Sequence, residues 1–122
     1  MSKQEETQAV LNTLRASMPE IKGALIATTD GLAIARSFSD TTDYQRVAAM
    51  AATALGLGKR IAETLGAGEF TETSVTGKDG NVYIYATGPK GVLAVITAPD
   101  ANLGLLHLEA RDAARQITTI LG

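Results

Sequence analysis

Residues 47–58 read Val-Ala-Ala-Met-Ala-Ala-Thr-Ala-Leu-Gly-Leu-Gly, twelve positions without one charged side chain. The segment sits inside a longer helical pattern, so about three turns of helix carry no charge anywhere around the cylinder. A helix face that meets water along its whole length normally bears Lys, Glu and Arg. At 100° per residue Val47, Met50, Ala51, Ala54, Gly58, Ile61 and Leu65 fall together, and this face is expected to cover a sheet. The opposite face carries Gln45, Ala48, Ala49, Ala52 and Gly56, then Lys59, Arg60 and Glu63. Two readings fit that second face: an Ala-rich helix chosen for propensity with a wet outer side, or a helix buried on both sides. Gly56 and Gly58 each cost roughly 1 kcal/mol relative to Ala inside a helix. Close approach of another backbone would offset that cost, which favours burial on both sides. A chain of 122 residues offers no obvious second cover, so a second copy or another protein is the natural candidate.

The remaining elements follow from local signals. Ser2 and Glu5 have capping-box spacing, and Thr7, Val10, Leu11, Leu14 and Met18 form one helical stripe that Pro19 stops. Residues 23–28 read as a buried strand, Thr29-Asp30-Gly31 as a turn whose Gly can take positive φ, and residues 32–37 as the partner strand. Thr42 with Gln45 offers a second capping box, opening the long helix that Gly66 and Gly68 end near Leu65. Residues 70–76 form a Thr-rich, mostly polar strand that suits a sheet edge. Such an edge is either an ordinary exposed one kept soluble by Thr and Glu or one that pairs with its twin across a two-fold axis. Residues 81–87 place Tyr83 and Tyr85 on one strand face, and residues 92–98, apolar throughout, predict a central strand. The last helix puts Leu103, Leu106, Ala110, Ala113, Ala114, Ile117 and Leu121 on one face. The order is α-β-β-α-β-β-β-α. Short turns make strands 1–2, 3–4 and 4–5 antiparallel, giving an α+β sandwich around one five-stranded antiparallel sheet.

Chemistry is sparse. There is no Cys and a single His, His107, which excludes disulfides, thiolate nucleophiles and the usual zinc sites. No Ser lies in a Gly-x-Ser-x-Gly elbow, and His107, at the rim of the last helix's apolar face, reads as a structural His. Gly56-Leu57-Gly58 and Gly66-Ala67-Gly68 follow no strand and lack the third small residue of a dinucleotide loop; Ile61 and Thr71 stand there. Asp30, Asp79 and Asp100 fall in turns, while Arg111, Arg115, Glu109 and Asp112 read as a solvated helix face. Leu105 and Leu108 point away from that helix's apolar stripe and either touch the first helix or form a small contact surface. With 11 Lys+Arg against 13 Asp+Glu, no basic field invites nucleic acid. No apolar run reaches the roughly 20 residues of a membrane span, and no signal-peptide core is visible. The expectation is a single cytoplasmic domain with no cofactor, no metal and no catalytic residue.

Three segments resemble the Roadblock family, which includes the dynein roadblock light chain and the bacterial MglB-like regulators. They are the hairpin of residues 21–35 with its Asp30-Gly31 turn, the Ala-rich helix ending near Leu65-Gly66, and Leu93-Ala94-Val95-Ile96-Thr97 followed by Asn102-Leu103-Gly104-Leu105-Leu106. The resemblance implies a single roadblock/profilin-like domain over residues 1–122, with the long second helix on one face of the sheet and the N- and C-terminal helices on the other. It implies a homodimer in which long helices pair and third strands join two sheets. The candidate dimer residues are then Ala48, Ala52, Leu55, Gly56, Phe70, Thr71, Thr73 and Val75. It also implies a Ras-like small GTPase as partner, met by Gln45, Ala49, Lys59, Arg60 and Glu63, and a role as non-enzymatic regulator or scaffold. MglB-like proteins act as GTPase-activating dimers that reposition the GTPase's own residues. The alternative is a ligand-sensing or general protein-interaction module without a GTPase.

Overall fold

Side-chain alternation in the strands divides the apolar residues between two faces of one sheet, and each face needs its own cover. A computed structural model describes residues 1–122. Along the chain run α1 (Lys3–Ser17), β1 (Ile21–Thr28), β2 (Ala33–Phe38), α2 (Tyr44–Thr64), β3 (Glu72–Thr76), β4 (Asn81–Ala86), β5 (Gly91–Thr97) and α3 (Leu103–Leu121). The strands form one antiparallel sheet in the order β2-β1-β5-β4-β3. β1 and β5 pair although no short turn joins them, with Ala24 opposite Val95 and Ile26 opposite Leu93. Their composition dictates this. Strands apolar on both sides must lie inside the sheet.

One face places Leu25, Ala27, Ile84, Val92 and Ala94 under α2. The other places Ala24, Ile26, Tyr85, Leu93 and Val95 under α1 and α3. Tyr83 and Tyr85 therefore both lie on the helix-covered α1/α3 face. The fold is the expected α+β sandwich, with the long helix alone on one side.

The caps show which local signals prevailed. Ser2 and Glu5 make both halves of a capping box. At α2 the cap is Asp43, not Thr42: its carboxylate accepts the Arg46 N–H at 3.2 Å, while Thr42 donates its own N–H to Asp40. A charged acceptor at a helix N-terminus outcompetes a hydroxyl. Asn102 caps α3 by accepting the Leu105 N–H. Leu103, expected on the inner face of α3, lies half exposed instead.

The rotation of α2 differs from expectation. Ala48, Ala51 and Leu55 are the residues fully sunk into the sheet. Met50, Ile61 and Leu65, expected to cover it, are exposed. The helix is turned by roughly 60° from the wheel prediction. Size explains the turn, because Ala48 and Ala51 let the helix backbone settle close to the sheet, where Met50 and Ile61 would hold it off.

Candidate functional site

The turn of α2 buries Leu55 but leaves Met50, Leu57 and Ile61 outside. Met50 is 57% exposed, Leu57 57% and Ile61 50%. At i, i+7 and i+11 they form a single stripe along one side of the helix. Beside α2, β3 forms one edge of the sheet, and its Val75 is 59% exposed. Val75 pairs with Val82, which packs on the α2 side, so stripe and edge residue lie on the same face of the molecule.

The sequence-derived dimer residues distribute unevenly over this surface. Ala48 and Leu55 are buried in the chain's own core and are corrected here: they face Leu25 and Ile84, not an outside partner. Gly56, Thr71 and Val75 are exposed, and Ala52, Phe70 and Thr73 are half-buried. The two helix glycines have separate explanations. A Cβ on Gly58 would stand 2.3 Å from the Phe70 ring, so Gly58 makes room for an aromatic side chain of its own chain rather than for another backbone. Nothing lies within 4 Å of a Cβ placed on Gly56. Gln45, Ala49, Lys59, Arg60 and Glu63 are all exposed.

A polar network braces the β3 edge from the opposite face. Glu72 opens β3 opposite Tyr85 and accepts two hydrogen bonds from the Arg111 guanidinium, one of them at 3.0 Å from Nε. His107 Nδ1 lies 3.7 Å from Glu72 and shares a 3.0 Å hydrogen bond with the Tyr85 hydroxyl. The Arg111 hydrogen bonds hold the Glu72 carboxyl below its usual range. Burial, reinforced by the negative Glu72, pushes the Tyr85 phenol up, so it stays neutral. A phenol so held is no nucleophile. The Tyr85–His107–Glu72–Arg111 line joins β4, α3 and β3. Within it His107, at the rim of α3, is held by its hydrogen bond with Tyr85.

Arg111 lies on the exposed helix face read from the sequence, but it also reaches across to Glu72, whereas Arg115 meets only Asp112 one turn away. Nothing local signals the Glu72–Arg111 pair, because 39 residues separate its members. It follows once the register sets Glu72 on the same sheet face as Tyr85. An open cleft of about 900 Å³ adjoins the brace, lined by Lys59, Arg111 and Arg115 with Glu63, Glu69 and Glu72. Its charges balance and select neither sign of ligand. No group of three or more His, Cys, Asp or Glu side chains converges to hold a metal ion. No helix is long and apolar enough to cross a membrane.

A sequence model of the Roadblock/LC7 domain matches residues 7–97. The chain belongs to this family. Two uncharacterized proteins of Methanocaldococcus jannaschii are each 35% identical to this roadblock domain over 97 residues, which is 80% of this chain and 84% of theirs. The gliding protein MglB of Thermus thermophilus superposes with a TM-score of 0.88 at 19% identity, covering 98% of this chain and 91% of that one. An MglB in a tetrameric arrangement gives 0.89 at 20% identity, covering 98% and 90%. At these identities the likeness to the two MglB structures is one of fold. The roadblock domain is a small regulatory fold, and its MglB neighbours include an oligomeric one.

Proposed function

We propose that this roadblock domain is a non-catalytic homodimeric regulator or scaffold that binds a Ras-like small GTPase. The observation that carries the reading is the exposed Met50–Leu57–Ile61 stripe beside the open β3 edge. Large apolar side chains aligned on one helix side mark an interaction surface rather than scattered surface residues. A two-fold axis near α2 brings the stripe onto its own copy and sets β3 against β3, joining two sheets. Thr71, Thr73 and Val75 supply the edge; on α2 Gly56 is exposed about 100° round the helix from Leu57, and Ala52 lies on the side away from the stripe. Membership of the Roadblock/LC7 family supports a Ras-like GTPase as the class of partner. The polar rim of Lys59, Arg60 and Glu63, with Gln45 and Ala49 further along the helix, stays outside the apolar seam, where a GTPase can dock on the paired helices. Any effect on hydrolysis comes from repositioning the GTPase's own residues.

Ras-like GTPases from the source genome, loaded with GDP or a non-hydrolysable GTP analogue, test the reading by titration calorimetry. Binding in one nucleotide state is expected. It should weaken by about tenfold in the Lys59→Glu, Arg60→Glu double variant, as charge reversal at a rim does, with the dimer intact. Absence of binding to any such GTPase in either state contradicts it.

A further inference from the structure

The opposite edge of the sheet is also unpaired, and it is not bare. β2 has β1 on one side and no strand on the other. The Gln8 carboxamide, reaching over from α1, donates from Nε2 to the Arg36 carbonyl at 2.7 Å and accepts the Arg36 N–H at Oε1 at 3.3 Å. These are the two bonds that a residue of a neighbouring strand exchanges with its partner. One side chain thus stands where a peptide group would stand. An open groove of about 860 Å³ follows this edge between the start of α1 and the start of α2. Its lining offers the carboxamides of Gln4, Gln8 and Gln45, the exposed Leu32 and the cation Arg36, and it contains no carboxylate. The Arg36 guanidinium lies 3.4 Å from the centre of the Tyr44 ring, on the α2 side of the edge.

We infer that the β2 edge binds an extended, acidic segment of another polypeptide by strand addition, the incoming backbone displacing the Gln8 carboxamide from Arg36. Backbone pairing supplies the affinity in such complexes, and alternate side chains supply the selectivity. A carboxylate opposite Arg36 sits on the same face as the guanidinium, because directly paired residues share a sheet face. Until the segment arrives, Gln8 keeps the edge from pairing indiscriminately. The site requires neither the dimer nor a GTPase. β2 and β3 are opposite edges of a five-stranded sheet, roughly 19 Å apart at the usual strand spacing.

Three short end-capped peptides test this against isotope-labelled protein by NMR. The first alternates Thr and Val with Glu at its centre, the second has Lys there, and the third is the Glu peptide with alternate backbone nitrogens methylated. The Glu peptide should shift the amides of residues 33–38 and the Gln8 side-chain amide, and the methylated copy should not. Gln8→Ala, which leaves nothing to displace, should bind about fivefold more tightly. Arg36→Glu should reverse the preference between the Glu and Lys peptides. Absence of shifts at residues 33–38 with both wild type and Gln8→Ala overturns the inference, as do shifts confined to residues 72–76. Gln8→Ala chains that pair with one another through β2 also overturn it, since the occupant is then a second copy.

Discussion

Glu72 is where residue chemistry bears most directly on the edge strand. Its carboxylate is tied to Arg111 and lies 3.7 Å from His107, so the folded state holds the charged form below its usual range. A carboxyl with a depressed folded-state pKa contributes stability that is fully present above its unfolded value, about 4.3. That contribution is lost as pH falls, first because the unfolded chain takes up the proton and finally as pH passes through the folded pKa. Chemical denaturation followed from neutral pH down to about pH 3 should therefore show wild type losing more stability than Glu72→Gln. Parallel curves for the two proteins would mean that the pair is not formed in solution. The sequence placed Glu72 in an edge strand and Arg111 on a helix surface, each correctly as to element. It could not join them, since pairing across 39 residues depends on strand register and helix packing that neither segment encodes alone.

At the scale of the element, α2 shows what periodicity reveals and what it leaves out. The absence of charge over residues 47–58 marks a helix with something to hide, and the structure has α2 spanning Tyr44–Thr64. The helical wheel is off by roughly 60°: Ala51, Val47 and Ala54 pack against the sheet as expected, but Ala48 and Leu55 take the places expected of Met50 and Ile61. Ala48 and Ala51 go inside and Met50 and Ile61 outside. The strands are easier, since period-2 alternation and short turns determine three of the four pairings. The fourth, β1 with β5, needs the whole sheet. The two glycines of α2 offer a test of the packing. Gly56→Ala meets open space and should stabilise the chain by about 1 kcal/mol through helix propensity. Gly58→Ala should gain nothing, because its Cβ displaces the Phe70 ring from the helix. Equal gains in thermal denaturation would show that Phe70 does not pack there.

The whole molecule is a sheet closed by three helices on two faces, with unlike edges. One edge is stoppered by Gln8; the other is braced from behind by Glu72 and Arg111 and left open beside an apolar helix stripe. Under the two proposals made above, that asymmetry gives the two ends different tasks. The β3 end suits a symmetric partner, because a stable edge and a ready apolar patch can both be repeated across one axis. Leu55 and Leu57 separate folding from association on the same helix. Leu55→Ala should cost about 2–5 kcal/mol of stability as a core truncation, whereas Leu57→Glu alters only the exposed stripe. Sedimentation velocity of wild type beside Leu57→Glu tests the pairing most directly. Wild type should sediment at twice the mass of one chain, and Leu57→Glu as a folded single chain. A wild type that stays a single chain at high concentration, or a Leu57→Glu dimer as tight as wild type, would contradict pairing through this helix.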